Sequence, residues 1–199
     1  MIIIAVVAGV VLYQLYAVLG RRVGRQPEDV AQAAAAARAA APADAYAPQA
    51  EAAPQPQGVA AIRARDPGFD VGKFLAGARQ AYEQIVIAFA TGDRPTIQRL
   101  VSTEVQGKFE TAMAQREAEG RTETVEFQHT PRADFEGAEV AGEVARAKVR
   151  FLAEFRSRTK GPEGEGVDDR RTAELWTFER RLSSRDPNWT LVRVDAAEA

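Results

Sequence analysis

The first 22 residues contain the longest uninterrupted apolar run of the chain. Residues 2–20 read IIIAVVAGVVLYQLYAVLG, with Gln14 as the one clearly polar side chain. As a helix, this run would be about 28 Å long, which matches the hydrocarbon core of a bilayer. The pattern therefore predicts a transmembrane anchor over residues 1–22.

The charges beside this run predict its orientation. Arg21, Arg22 and Arg25 follow the apolar residues and no basic side chain precedes them, so the positive-inside rule places the N-terminus outside and the rest of the chain in the cytoplasm. The same arginines are candidate contacts for anionic lipid. A cleaved signal peptide is the alternative. It is disfavoured because the Ala-x-Ala sites at 39–41 and 45–47 lie far beyond the apolar run.

Residues 23–65 have the composition of a linker. They contain an alanine run at 33–37 and prolines at 42, 48, 54 and 56, with almost no large apolar side chains, so the segment cannot bury enough surface to fold by itself. Pro27, Glu28 and Asp29 form a good first turn, which predicts a helix to about Ala41. We expect an extended coil after that helix.

The pattern becomes helical from Asp66 onwards. Apolar residues recur at steps of three and four, as expected for one face of a long helix that ends near Gly92: Val71, Leu75, Ala78, Tyr82, Ile85 and Phe89. A short helix is predicted over residues 94–101. A third helix is predicted to about residue 119, with Ser102 or Thr103 as its N-cap.

The period then changes from 3.6 to 2, which predicts strands over residues 122–128, 133–141, 145–156, 171–182 and 189–194. Gly161–Gly166 is predicted to be a flexible hairpin tip. Helices followed by antiparallel strands predict an α+β domain over residues 66–199, in which N-terminal helices pack on one face of a curved antiparallel sheet.

The composition excludes several kinds of chemistry. The net charge of −2 gives no reason to expect a nucleic-acid partner. The chain has no cysteine and a single histidine, His129, so thiolate sites and serine–histidine relays lack their components. Phosphate-loop, dinucleotide and nucleophile-elbow motifs are also absent from the sequence. We therefore predict no catalytic residue, no cofactor and no metal, and expect a protein that is not an enzyme.

Two features of the strands carry candidate contacts. Arg146, Lys148 and Arg150 alternate on the polar side of one strand, where they could contact anionic lipid or instead form a solvated face with glutamate partners across the strands. Aromatic side chains are candidates for either core packing or a concave pocket, with core packing favoured: Tyr82, Phe89, Phe151, Trp176 and Phe178.

Several short motifs together resemble a known family. They are similar to the Tim-forty-four-like domain, the C-terminal domain of the forty-four-kilodalton subunit of the mitochondrial inner-membrane translocase. The likeness covers about residues 66–194 and lies in FLAGARQAYEQIVIAFATGD at 74–93, LVSTEVQGKF at 100–109, LWTFER at 175–180 and DPNWTL at 186–191.

The resemblance implies a cone-shaped fold of the cystatin-like or nuclear-transport-factor-two-like kind, without enzymatic activity. An anchor, a linker and this domain look like a bacterial, inner-membrane member of the family. The mitochondrial relative also has a region that recruits a chaperone, and residues 1–65 do not match it, so a role in an import motor does not carry over.

We therefore expect a membrane-anchored adaptor whose cytoplasmic domain binds a protein partner, lipid or both near the inner membrane, with a link to protein translocation or membrane-protein assembly. Two alternatives stay open. One is a structural subunit of a membrane complex. The other is a cone-fold enzyme with a pocket carboxylate or histidine, for which the candidates are His129, Asp134, Glu154 and Glu174.

Overall fold

The computed structural model describes residues 57–197. The predicted anchor and the linker up to residue 56 lie outside this part. In the described residues, four helices precede five strands: α1 (Val59–Arg63), α2 (Val71–Thr91), α3 (Arg94–Leu100), α4 (Thr103–Ala118), β1 (Thr122–Phe127), β2 (Arg132–Ala141), β3 (Val144–Gly161), β4 (Gly164–Arg181) and β5 (Thr190–Ala196).

Side-chain caps mark where α2, α3 and α4 begin. The side chain of Asp70 accepts a hydrogen bond from the backbone N–H of Lys73 at the start of α2. The side chain of Asp93 accepts one from the backbone N–H of Thr96 at the start of α3. Ser102, one of the two predicted candidates, accepts from the N–H of Val105 and is the N-cap of α4. These bonds satisfy N–H groups that the first turn of a helix leaves without a partner.

The five strands form one antiparallel sheet in which β3 is central. β4 pairs with one edge of β3 along its full length, and β5 pairs with β4. β1 and β2 share the other edge of β3. β1 pairs with residues 155–160 and β2 with residues 144–152. The chain therefore crosses from one half of that edge to the other between β1 and β2.

β3 shows why the core lies on one side of the sheet. Its alternate residues are fully or nearly buried, from Ala145 to Ser157, while the residues between them are more exposed. A strand with one apolar face must cover that face, and the helices supply the cover. The buried residues of α1–α4 belong to the same core cluster as the inner residues of the sheet. The prediction of an α+β fold with helices packed on an antiparallel sheet is confirmed.

The packed part of the chain begins before the predicted boundary at residue 66. Ile62 in α1 has no exposed surface and belongs to the core. The Arg63 guanidinium donates to the carbonyl of Phe69, and α1 lies against β2. A helix of this length shows too little periodicity to stand out beside an alanine-rich linker.

The β3–β4 hairpin is longer than predicted. Gly161 pairs directly with Gly164, so only Pro162 and Glu163 lie at the tip. Residues 156–160 and 165–171 are mostly charged and give no apolar alternation. Their strands are instead joined by backbone pairing and by ion pairs across the hairpin, such as Arg156–Asp169 and Lys160–Glu165.

Candidate functional site

The inner side of the sheet carries an aromatic cluster. Tyr82 on α2 stacks on Phe151 of β3, with ring centroids 4.4 Å apart and planes 16° apart. Trp176 on β4 contacts both rings, at 4.7 and 5.5 Å, and Phe178 lies 6.2 Å from Trp176. Each of these four side chains is at most 2% exposed. Four of the five candidate aromatics thus pack against one another.

Phe89 lies apart from this cluster. Its ring packs on Phe109 of α4, with centroids 5.1 Å apart. The guanidinium of Arg116 lies over the Phe89 ring, 5.1 Å from its centroid. The helical spacing placed Phe89 on the same side of α2 as Tyr82. The fold, however, brings α4 rather than β4 to that end of the helix.

A carboxyl group lies within the aromatic cluster. Glu174 precedes Trp176 by two residues on β4, so its side chain also points to the inner side. The Tyr82 hydroxyl donates to Glu174 Oε2 at 3.1 Å and lies 3.1 Å from Thr172 Oγ1. This polar group joins the middle of α2 to the middle of β4.

Burial changes the protonation of both partners. Removal from water raises the pKa of the Glu174 carboxyl, against the lowering effect of the Tyr82 hydroxyl and of the nearby Trp176 indole N–H. Burial and the nearby Glu174 carboxylate likewise raise the pKa of Tyr82. Trp176 Nε1 is close enough to lower the pKa of Glu174, yet it is buried without a hydrogen bond of normal geometry among residues 57–197.

The other three candidates for a pocket acid or base lie elsewhere. His129 is exposed in the connection between β1 and β2. Asp134 pairs with Arg132 at 2.8 Å, and Glu154 pairs with Arg171 at 2.9 Å. Glu154 lies between buried neighbours on β3, so it belongs to the outer side of the sheet. Only Glu174 of the four points into the domain.

His129 and Glu154 do share an open depression on the outer side. Its lining comes from the β1–β2 connection and from the paired strands β3 and β4. The charged side chains there are already matched, because Glu154 pairs with Arg171 and Arg156 pairs with Asp169. The rest of the lining is Gln128, His129, Phe155 and Arg170, and Arg170 also has a carboxylate partner in Asp168.

The candidate lipid contacts on β3 lie on the outer side of the sheet. Arg146 pairs with Glu179 at 3.0 Å and with Glu139 at 3.7 Å. Arg150 pairs with Glu136 at 2.9 Å. Lys148 is exposed between them and has no ion pair in the described part of the chain. Arg21, Arg22 and Arg25 lie outside the described residues.

The structure also brings together charged residues that the sequence pattern did not single out. Glu123 on β1 receives hydrogen bonds from Ser157 and from Arg116 at 3.1 Å, and Arg170 lies 3.5 Å away. The side chains of Arg116 and Glu123 are only 15% and 14% exposed. A charge-rich strand end usually looks like a solvent-facing segment. The one signal in the sequence was that Glu123 lies on the same side of the strand as the apolar residues Val125 and Phe127.

Neither metal binding nor membrane crossing is visible in the described residues. Between residues 57 and 197, no three His, Cys, Asp or Glu side chains are placed to hold a metal ion. In the same range, no helix has the length and apolar character needed to cross a bilayer.

The chain was compared with curated proteins and with solved structures. No curated protein matches the chain in a sequence search. Among solved structures, the chain is similar to a crystal structure of the intermembrane space region of the chloroplast protein ARC6, with 12% sequence identity and a TM-score of 0.46. That alignment covers 63% of this chain and 97% of the ARC6 region.

A family model also matches the chain. The Tim44-like domain covers residues 55–196, which include every helix and strand described above and start four residues before α1. The match confirms the family that the motifs at 74–93, 100–109, 175–180 and 186–191 indicated, and the chain belongs to the Tim44-like domain family.

Proposed function

We propose that this protein is a non-enzymatic adaptor, anchored in the bacterial inner membrane by residues 1–22, whose cytoplasmic domain binds a protein partner near the bilayer. Membership of the Tim44-like family is the observation that carries the proposal, because it links the chain to membrane-associated protein translocation. The apolar run at 2–20 and the arginines after it supply the anchor and its orientation.

The described domain supports binding through its surface. Its interior is filled by aromatic and aliphatic side chains, and Tyr82, Phe151 and Phe178 are among the largest fully buried ones. Small-molecule sites are generally concave and lined by apolar groups that contact the ligand. Here the corresponding side chains contact one another, so recognition by the outer surface fits this domain better.

Lipid is the weaker of the two partners in this proposal. A cation near an anionic membrane surface contributes about 1 kcal/mol. Arg146 and Arg150 already have carboxylate partners, so binding lipid would require exchanging one ion pair for another. Lys148 remains as an exposed cation, and we expect lipid to assist the anchor without replacing it.

Cell fractionation tests the anchor. We expect the full chain with a C-terminal tag to stay in the membrane pellet through high-salt washing, and its tag to be digested only in inside-out vesicles. Deletion of residues 1–25 is expected to release the domain into the soluble fraction. Deletion of residues 33–47, within the linker, is the control and leaves the protein in the pellet. Digestion of the tag in intact spheroplasts would contradict the orientation.

Photo-crosslinking in membranes tests the adaptor role. A crosslinking amino acid at exposed Lys148, Arg158 or Gln80 should give discrete products with a limited set of proteins. The same amino acid at buried Val149 should not. Products that persist in one fixed stoichiometry through purification would instead assign the chain to a structural subunit of a membrane complex.

One observation keeps an enzymatic alternative: Glu174 is a carboxyl with a raised pKa on the inner side of the sheet. Glu174 is partly exposed, whereas its hydroxyl partner Tyr82 is completely buried, so a substrate would have restricted access to this carboxyl. A Glu174→Gln variant separates the readings. An adaptor keeps its crosslinking pattern and its cellular phenotype in this variant, whereas loss of the phenotype with normal folding and localisation would favour an enzyme.

A further inference from the structure

The solvent-facing side of α2 differs in charge from the rest of the surface. Six exposed residues at steps of one, three and four define it, and we call them the α2 face: Lys73, Ala76, Gly77, Gln80, Gln84 and Ile87. Lys73 is the only charged member. Ile87 is 42% exposed and is one of three large apolar side chains that the described residues leave exposed, with Leu152 and Val167.

The outer side of the sheet provides the contrast. Between the buried residues of β3, nearly every side chain is charged, and most of these charges have partners on β2 or β4. A surface of that kind is already satisfied in water. The centre of a protein interface, by comparison, is depleted in charge. On this criterion the α2 face is the best candidate for contact with another protein.

Within the described residues, the charged side chains of α2 also lack ion-pair partners. Its charged residues are Lys73, Arg79 and Glu83, and none of their side chains has an ion pair within residues 57–197. Arg79 Nε is buried without a hydrogen-bond partner in that range. Lys73 and Glu83 have opposite charges and are ten residues apart, or about 15 Å along the helix axis.

This spacing allows the helix to complement itself. When two copies of α2 pack antiparallel about a two-fold axis at the level of residue 78, Lys73 of each copy lies opposite Glu83 of the other. In the same register Ala76 faces Gln80. Gly77, where an added Cβ would meet no atom within 4 Å, lies at the crossing and permits close approach of the two helices.

We propose that the α2 face between Lys73 and Gln84 is the contact between two copies of this chain, packed antiparallel about a two-fold axis with Lys73 against Glu83, which borders the face. Closed two-fold dimers are the commonest oligomers of soluble domains. The inference goes beyond the adaptor proposal and does not depend on it. A contact between two helices is small, below about 1,200 Å² in total, so the dimer belongs to the weak class that depends on protein concentration.

Cysteine crosslinking in membranes tests the contact directly. The natural chain contains no cysteine, so an introduced thiol is the only one present. We expect full-length Ala76→Cys with one tag and full-length Gln80→Cys with another tag to form a mixed disulfide under mild oxidation. Arg158→Cys, exposed on the outer side of the sheet, is the matched control and should remain monomeric.

Charge exchange then tests the register. Lys73→Glu or Glu83→Lys alone places like charges opposite each other, and we expect either change to lower the disulfide yield several-fold. The two changes together restore opposite charges and should restore the yield, while Lys148→Glu leaves it unchanged. No mixed disulfide, equal yields in all variants, or crosslinks only to a different protein would overturn the assignment to a second copy. The result does not decide whether the protein is an adaptor, because fractionation and partner crosslinking remain independent readouts.

Discussion

Glu174 shows how a single side chain can couple the packing of two elements to pH. Its carboxyl lies among aromatic rings and is hydrogen-bonded to the hydroxyl of Tyr82. Burial favours its neutral form and raises its pKa above the usual value near 4.5. In the unfolded chain the same group would be ionised at neutral pH.

The first prediction concerns this carboxyl. Because the folded pKa is higher than the unfolded one, the folded state binds more protons between the two values, so Glu174 makes stability fall as pH rises through that window. A Glu174→Gln variant is neutral at all pH values and keeps an acceptor for Tyr82. We expect its free energy of unfolding to exceed that of the wild type at pH 7.5.

The difference between the two proteins should shrink as the pH falls and level off below about 4.5, where the wild-type carboxyl becomes neutral in both states. Urea denaturation at a series of pH values measures this difference. Asp93, Glu104, Glu117 and Asp169 have lowered pKa values that destabilise the fold on acidification. These four carboxyl groups are present in both proteins, so their effects cancel in the difference between the two free energies of unfolding. A pH-independent difference would contradict the prediction.

The second prediction removes the hydroxyl that Glu174 accepts from. Tyr82→Phe keeps the stacking on Phe151 but leaves a buried acceptor without its main donor, which costs about 1–3 kcal/mol. In the Glu174→Gln background the cost should be smaller, because a neutral amide is cheaper to leave unpaired. A double-mutant cycle by thermal or urea denaturation measures the coupling. Additive effects would show that the 3.1 Å contact contributes nothing.

At the scale of elements, the helix ends depend on glycine where the chain turns. Gly92 ends α2 with a φ of 75°, in the left-handed region that non-glycine residues avoid. Its position has room for a side chain, since an added Cβ would meet only Glu117 Oε1 at 3.8 Å. The requirement for glycine is therefore one of backbone conformation.

Two glycine substitutions, expected to change the free energy of unfolding in opposite directions, test this interpretation. Gly92→Ala should lower the free energy of unfolding by about 1–2 kcal/mol, because alanine must adopt the left-handed conformation. Gly107 lies inside α4, where an added Cβ meets nothing within 4 Å, and Gly107→Ala should raise the free energy by about 0.5–1 kcal/mol. Equal effects at the two sites in thermal denaturation would contradict the interpretation.

Elements with strong apolar periodicity were predictable, and elements held by other forces were not. α2, α4 and the core half of β3 were predicted because burial imposes their pattern. The outer half of the β3–β4 hairpin is held by backbone pairing and ion pairs, which leave no apolar signal. The same reason hid the Arg116–Glu123 contact. The five aromatic residues were predicted to belong to a core or a pocket, and only the fold could show that Phe89 packs apart from the other four.

At the scale of the molecule, the domain includes a segment that its composition assigned to the linker. Ile62 contributes a completely buried side chain to the core from α1. This segment lies between the proposed anchor and the first long helix. Under the proposal of an anchor at residues 1–22, the linker would end before α1 rather than at residue 65, which would shorten the distance over which the domain can search for a partner.

The last stability prediction tests this boundary. Ile62→Ala should lower the free energy of unfolding by about 2–5 kcal/mol, as for other fully buried isoleucines. Arg65→Ala, three residues later, removes an ion pair with Glu143 in which both side chains are largely exposed, and should cost less than about 1 kcal/mol. Urea denaturation of both variants measures the contrast. Equal, small effects of the two substitutions would indicate that α1 does not belong to the folded domain.

β5 ends opposite Glu174, and within the described residues no strand pairs with the edge of β4 from 164 to 172. Such an edge is a template for sheet growth and fibril formation. Here it carries Asp168, Asp169, Arg170 and Arg171. Charged side chains on an edge strand disfavour pairing with another chain, because such pairing would take them out of water. The charges that make this strand hard to recognise in the sequence are therefore also expected to disfavour growth of the sheet at this edge.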